Sequence, residues 1–320
     1  MSDDRPDQHP LVVRTEHLDP EAESWLADRC TVSHAATDSD EFAAVAERVH
    51  GLLVRTYTIV DDALLDRLPA LKVVGRAGVG LDNIDVAECR RRGVEVVHTP
   101  DANTQAVVEY VTALLCDAIR PRITLQEPLS KARWGEIREE ICGAWQMNEL
   151  VLGILGFGRI GRRVAQVATA IGFTTIYHDL LEIPPSERHG ADAVAFDTLL
   201  AESDVLTIHV DGRDSNHGLF DRAVIERLKT DAIILNTSRG FVIDEPALAA
   251  WLAANPTALA ILDVHATEPF TDDDPLLGLG NAHLAPHLAS RTTTAMSNMC
   301  WVVRDVWRVL QGESPAHPAP

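Results

Sequence analysis

VLGILGFGRIGRRVAQVATAIGFTTIYHD, residues 151–179, is the stretch that decides the fold. An apolar run from Leu150 to Leu155 reads as a buried strand, and Gly156, Gly158 and Gly161 follow in the spacing G-x-G-x-x-G. An amphipathic helix pattern, a second apolar strand and an acid, Asp179, complete the unit. Gly156 permits the tight turn out of the strand, Gly158 lets the backbone approach a pyrophosphate, and Gly161 lets the helix pack close to the sheet. The helix start offers unpaired N–H groups and a positive dipole end to phosphates. Asp179, at the end of the second strand, is placed to accept hydrogen bonds from an adenosine ribose. Leu180 and Leu181 follow it, with no neighbouring Arg or Lys in the sequence to receive a 2′-phosphate, so NAD is the expected cofactor.

Whole-chain properties bound the rest. With 320 residues and 46% hydrophobic content the chain can bury substantial cores, and two domains are expected. The formal charge is −20 and Lys occurs only at Lys72, Lys131 and Lys229, which argues against nucleic acid or an anionic membrane as partner. The acidic N-terminus MSDDRPDQHP is no signal peptide and no apolar run is long enough to span a bilayer, so a cytoplasmic location is expected. Cys30, Cys89, Cys116, Cys142 and Cys300 are widely spaced and lack a C-x-x-C pair, as reduced thiols do. His283 and His287 have the i, i+4 spacing of a helical metal pair, but Pro286 between them argues against a helix, and no metal site is expected.

Along the chain, strand-like and helix-like runs alternate, which implies parallel sheets. Leu11–Arg14, Gly51–Arg55, Lys72–Gly75 and Glu95–His98 read as strands, with helices over 40–49, 61–68 and 84–92. A long helix over 103–119, capped by Asn103 and stopped by Pro121, is expected to cross between the domains. Beyond Asp179, Val205–Val210, Ala232–Asn236 and Ala258–Val264 read as strands, with helices over 222–229 and 245–254. A last amphipathic helix spans 292–311, and the tail GESPAHPAP lacks apolar periodicity and is expected to be disordered.

Five segments in order, GRAGVGLDNID (75–85), GFGRIG (156–161), NTSRGFVIDEPAL (236–248), LDVHATEP (262–269) and APHLAS (285–290), resemble the successive signatures of the D-isomer-specific 2-hydroxyacid dehydrogenases. The resemblance runs from about residue 50 to about 300. It implies an α/β protein with two doubly wound parallel-sheet domains. One is a discontinuous, flavodoxin-like substrate domain from residues 1–101 and 292–320. The other is a Rossmann-type NAD-binding domain from residues 102–291. A substrate cleft between the two and a homodimer joined through the cofactor domain are further implications.

Hydride transfer between a 2-hydroxy acid and NAD needs a cation for the carboxylate and a group that moves the hydroxyl proton. The family motifs place Arg239 on the substrate carboxylate and carbonyl oxygen, a contact its planar fork suits. They make His287 the acid/base and Glu268 its partner, which favours the imidazolium. Carried over likewise are Arg159 and Ile160 to the pyrophosphate, Thr237 and Ser238 to the nicotinamide, Asp263 to the carboxamide, and the backbone of Gly78, Val79 and Gly80 to the substrate carboxylate. Val210 is a further cofactor contact, although His209-Val210-Asp211 stands where relatives carry a proline-containing loop. WQMNELVLG before the glycine motif departs from the family wording as well.

Arg55, in LLVRTYT, resembles the arginine that binds phosphate in the branch acting on 3-phosphoglycerate. The second basic residue of that branch is not evident after Trp134 or Trp145, and no regulatory domain is expected. A reductase of glyoxylate, hydroxypyruvate or another small 2-keto acid is the alternative. A formate dehydrogenase is a weaker rival, because those relatives carry glutamine where Glu268 stands. A non-enzymatic NAD-sensing protein, like the corepressors built on this fold, is the reading from a different class.

Overall fold

The computed structural model describes residues 9–120 and 122–320. Most of the acidic N-terminal stretch and Pro121, the expected helix stop, lie outside the described residues. The chain divides into two compact units, residues 1–103 with 291–320, and residues 104–290.

The first unit alternates β1 (Leu11–Arg14), α1 (Pro20–Ala27), β2 (Thr31–His34), α2 (Asp40–Ala43), β3 (Val49–Val54), α3 (Asp62–Asp66), β4 (Val73–Arg76), α4 (Val86–Arg91) and β5 (Glu95–His98). Its five strands are parallel in the order β2-β1-β3-β4-β5, the flavodoxin-like winding. Side chains alternate between the faces. Val13, Leu52, Val54 and Val74 enter one core and Val12, Leu53, Val73 and Val97 the other, so these strands read as continuous apolar runs. Part of the acidic excess has a local purpose, since Asp61 and Asp85 cap α3 and α4 by accepting from the N–H groups of Leu64 and Glu88.

The second unit opens with α5 (Thr104–Ile119) and α6 (Lys131–Glu140). It continues through β6 (Val151–Leu155), α7 (Arg159–Ala170), β7 (Thr174–His178), β8 (Asp192–Ala193), α8 (Phe196–Glu202), β9 (Val205–Ile208), α9 (Arg222–Ile225), β10 (Ile233–Asn236), α10 (Glu245–Ala254), β11 (Leu259–Leu262) and β12 (Ala282–Leu284). Its seven strands are parallel, ordered β12-β11-β10-β9-β6-β7-β8. The winding reverses between β6 and β9, and such a reversal opens a crevice at the carboxyl ends of the strands. Leu152 and Ile154 of β6 bury against α5 and α7, while Leu155 joins Leu206 and Ile208 on the opposite face.

The chain then returns to the first unit through α11 (Thr293–Cys300) and α12 (Val303–Leu310). The single helix expected over 292–311 is therefore two. A turn at Trp301 and Val302 sets Trp301 edge-on to Trp25, 6.3 Å between centroids, and lets Val303 and Val306 enter the core. The C-terminal tail is ordered, contrary to the expectation. The N–H groups of Ala316 and His317 donate to the buried Asp305 carboxylate at 2.8 and 3.0 Å, and that of Ala319 to the Val96 carbonyl at 2.7 Å. Backbone bonding to a strand edge and to one acid replaces the apolar periodicity the tail lacks.

Other elements shift by small amounts. The helix expected over 40–49 ends early, because a single 3₁₀ turn at Ala46–Arg48 leads into β3. The short edge strands β2, β8 and β12, and helix α1, are not evident in the sequence. His283 lies on β12 and His287 on the loop beyond it, so the two share no helix.

Candidate active site

The glycine motif joins β6 to α7. Gly156 has φ 86°, and a Cβ there would fall 2.7 Å from the carbonyl of His209, at the end of the neighbouring strand β9. A Cβ on Gly161 would meet the Gly156 carbonyl oxygen at 2.2 Å, so α7 packs against the loop only without a side chain at that position. Gly158 caps α7 with no side-chain hydrogen bond, and its Cβ position faces open space with no atom within 4 Å. Arg159 and Ile160 are the first residues of that helix.

Asp179 ends the second strand as expected, and it also holds the loop together. One carboxylate oxygen accepts from the N–H of Phe157 at 2.6 Å and the other from that of Leu181 at 2.8 Å. Each oxygen keeps a further lone pair for a ribose hydroxyl. Leu180 and Leu181 are exposed beside it. The sequence missed Arg213, which its hydrogen bonds to Asp211 (2.7 and 2.5 Å) hold more basic than usual, with a smaller attraction from Asp179. Val210 packs partly buried against the core of this unit. His209 donates to or accepts from the Thr207 hydroxyl at 3.0 Å, and desolvation of its ring pushes its pKa down to about 3.

At the end of β10, Asn236 organises the turn that carries Arg239. Its amide nitrogen donates to the Arg239 carbonyl at 2.8 Å, and its oxygen accepts from the N–H and hydroxyl of Ser238 at 3.0 and 2.8 Å. Arg239 itself donates to the Ser238 carbonyl at 2.7 Å. The Thr237 hydroxyl is buried and has no protein partner. An orphaned hydroxyl after β10 and an uncapped helix start with open space at Gly158 after β6, both at the carboxyl ends of strands of one sheet, are what a dinucleotide would complete, so these residues fit NAD.

Glu268 and His287 meet across two loops. His287 Nδ1 lies 2.8 Å from Glu268 Oε2, and Glu268 Oε1 accepts from the N–H of His265 at 3.0 Å. Burial pushes the Glu268 carboxyl up, but the His287 ring and the His265 N–H outweigh it and hold the group below its ordinary value. His287 has φ 54°, in the left-handed region, which aims its ring across the loop. Two positioning roles were not legible in the motifs. Asp263 is buried and accepts from the N–H groups of Leu288 and Ala289 at 2.7 and 2.8 Å, clamping the segment that bears His287. Gly240 leaves room for the backbone of His265 and Ala266, whose atoms lie 1.9–2.4 Å from where its Cβ would be.

The remaining predicted residues lie in the first unit. The Glu16 carboxylate accepts from the N–H groups of Arg55, Thr56, Tyr57 and Thr58 at 3.0–3.1 Å, fixing the loop after β3. The Arg55 guanidinium rests on the Met296 sulfur at 3.3 Å. In the 78–80 turn, the Gly78 carbonyl accepts from the Thr99 N–H at 3.1 Å, His98 Nδ1 lies 2.9 Å from the Val79 carbonyl, and Gly80 closes the turn.

Fold and site together define a doubly wound α/β dinucleotide-binding protein. Residues 112–289 match the family described as D-isomer specific 2-hydroxyacid dehydrogenase, NAD binding domain, and NAD is its cofactor. The chain is 33% identical to the D-3-phosphoglycerate dehydrogenase of Archaeoglobus fulgidus over 83% of its length and 50% of that protein's. It is 33% identical to the hydroxypyruvate reductase of Thermotoga maritima over 87% of its length and 90% of the relative's. A glyoxylate reductase structure from Paecilomyes thermophila superposes with TM-score 0.83 at 27% identity, covering 98% of each chain. The protein belongs to the D-isomer-specific 2-hydroxyacid dehydrogenase family. It spans about half the length of the phosphoglycerate dehydrogenases it matches.

Proposed function

We propose that this protein catalyses NAD-dependent interconversion of a D-2-hydroxy acid and its 2-keto acid. The observation that carries the reading is the Glu268–His287 pair, a carboxylate 2.8 Å from a ring nitrogen on a clamped loop. Arg239 holds the substrate carboxylate through its planar fork and polarises the carbonyl oxygen. With Nδ1 on Glu268, His287 presents Nε2 to that oxygen, giving a proton as the keto acid is reduced and taking one as the hydroxy acid is oxidised. Glu268, held ionised, stabilises the imidazolium that the reduction requires. Bound NAD supplies the hydride acceptor, and NADH the donor. Arg159, Ile160, Thr237, Ser238, Val210 and Asp263 are its proposed contacts, together with the glycine motif and Asp179.

For the substrate we favour a phosphorylated acid of the 3-phosphoglycerate type, with Arg55 on the phosphate and the Gly78–Gly80 backbone on the carboxylate. Support comes from the Arg55 guanidinium, which the structure sets against a thioether. A small 2-keto acid such as hydroxypyruvate or glyoxylate is the second reading, favoured by the Thermotoga maritima relative, 90% of whose length the chain spans. An NADH-oxidation screen against 2-keto acids including 3-phosphohydroxypyruvate ranks these readings. Binding of NAD with no turnover of any acid in the panel would leave the sensor reading instead.

We further propose a cytoplasmic homodimer joined through the cofactor unit. Helix α6 buries none of its residues, and Ile123, Leu125, Trp134 and Trp145 around it are exposed, an apolar surface that a second copy would cover. The five free cysteines fit a reducing compartment. No helix among the described residues is long and apolar enough to cross a membrane. Light scattering on the purified protein tests the dimer.

A further inference from the structure

Glu245, His265 and Asp274 meet behind the loop that carries Glu268, and the reaction above uses none of them. One ligand-competent atom from each lies within 4.8 Å of the others. Glu245 opens α10, His265 follows β11, and Asp274 lies on the loop beyond Pro269. His265 is 6% exposed and Glu245 9%.

The state of the imidazole is the decisive detail. His265 Nε2 lies 2.9 Å from the Ala285 carbonyl oxygen, which can only accept, so Nε2 carries the hydrogen and Nδ1 of the neutral ring is a bare lone pair. That Nδ1 is buried and has no hydrogen-bond partner. Phe270 holds the ring from the side, with centroids 4.9 Å apart and planes at 70°. A histidine whose second nitrogen donates to a backbone carbonyl is oriented as metal-binding histidines are. The carboxylates are oriented too. Glu245 Oε1 accepts from the Ala266 N–H and Asp274 Oδ1 from the Leu276 N–H, both at 2.9 Å, so each retains lone pairs for an ion.

We propose that Glu245, His265 and Asp274 bind a divalent transition-metal ion of the zinc class, which staples α10 and the 271–277 loop to the segment bearing Glu268. One imidazole nitrogen with two carboxylate oxygens suits zinc, cobalt or manganese, whereas magnesium and calcium favour all-oxygen sets. Three protein ligands leave a fourth position for water. The ion takes no part in hydride or proton transfer. Sequence spacing gives no sign of the site, because the three residues come from separate elements.

The test uses the full chain stripped with EDTA and titrated with Co²⁺ or Zn²⁺, followed by calorimetry, visible absorption and the thermal midpoint. We expect one equivalent bound per chain, a cobalt d–d spectrum without thiolate charge transfer, and a midpoint raised by either metal. His265→Phe and Asp274→Asn should each lose all three responses. Phe keeps the apolar packing on Phe270, and Asn keeps an acceptor for Leu276, so their metal-free midpoints report whether the fold survives; if one variant unfolds, the other decides. Absence of binding to the parent protein at millimolar Zn²⁺ would overturn the site, as would undiminished binding in a folded variant. Thiolate charge-transfer bands would do so too, by moving the ion to a cysteine.

Discussion

Asp263, at the end of β11, grips the N–H groups of Leu288 and Ala289 at 2.7 and 2.8 Å, directly after His287. The His287 loop is thereby tied to the sheet by a buried carboxylate, which burial holds above its ordinary value although these two donors lower it. Asp263→Asn should lose one of the bonds and set an amide N–H against a backbone N–H, at a cost of ~1–3 kcal/mol in stability. A fall in kcat with little change in NAD affinity would mark a positioning role. Weaker NAD binding at unchanged kcat would instead support the carboxamide contact implied by the family resemblance.

The Glu268–His287 pair predicts a pH effect of defined sign. Reduction needs the imidazolium, so its rate falls as pH rises through the titration that removes that proton. Glu268 is held below its ordinary value and stays ionised through this range. In Glu268→Gln the negative charge is gone, the imidazolium loses its counter-ion, and the alkaline fall-off for reduction should move to lower pH. His287→Ala should lose roughly 10²–10⁴-fold in kcat. A pH–rate profile in Glu268→Gln that overlays the parent's would uncouple the two residues.

The glycine motif and the strand rhythm were legible in the sequence because each is local, and Arg239, Glu268 and His287 stand out there because each lies in a short motif of its own. A period of two or of 3.6, a turn residue or a short motif carries its own signal. What stayed hidden was relational. Gly240 reads as part of a motif, but its requirement comes from the backbone of His265. Asp263 reads as a strand-end acid, while its partners lie on the loop after β12 and, through Tyr110, on α5. The ordered tail depends on Asp305 and on the Val96 carbonyl, far away in the chain, and no window of residues 312–320 contains that information. Arg213 likewise comes near Asp179 only when the sheet assembles.

Arg213 bears on cofactor selection. The Asp179 carboxylate would repel a 2′-phosphate placed beside it, and the nearby cation is already engaged by Asp211. NADH should be preferred over NADPH by kcat/KM, and Asp179→Ala should erode that preference. Asp211→Ala, which releases Arg213, should erode it further in the same direction. Equal use of both cofactors by the parent enzyme would remove the role given to Asp179.

His209 should make stability depend on pH below neutrality. Desolvation holds its folded pKa at about 3, whereas an unfolded histidine titrates near ~6.5. Between those values the unfolded chain binds the extra proton, so the contribution is fully present above ~6.5 and declines as pH falls towards about 3. Urea midpoints should therefore drop between pH 7 and pH 5, and drop less in His209→Gln, whose amide does not titrate. Identical pH slopes in the two proteins would show that His209 is not the source.

Arg55 decides between the two substrate readings. Its loop is pinned by four backbone N–H groups on Glu16, and the Asn83 amide donates to the Arg55 and Thr58 carbonyls at 3.2 and 2.6 Å. The backbone is thus held independently of the guanidinium, so Arg55→Ala should remove the charge and leave the loop in place. A phosphate met by charge-assisted hydrogen bonds would lose ~1.5–3 kcal/mol, or about 10–150-fold in kcat/KM. An unphosphorylated analogue should lose little. Measuring kcat/KM for 3-phosphohydroxypyruvate and hydroxypyruvate with both proteins gives a two-by-two comparison. A selective loss for the phosphorylated acid supports the phosphoglycerate reading. Equal losses, or a parent enzyme that already prefers hydroxypyruvate, assign the protein to the small 2-keto-acid reductases and leave Arg55 an ordinary surface arginine.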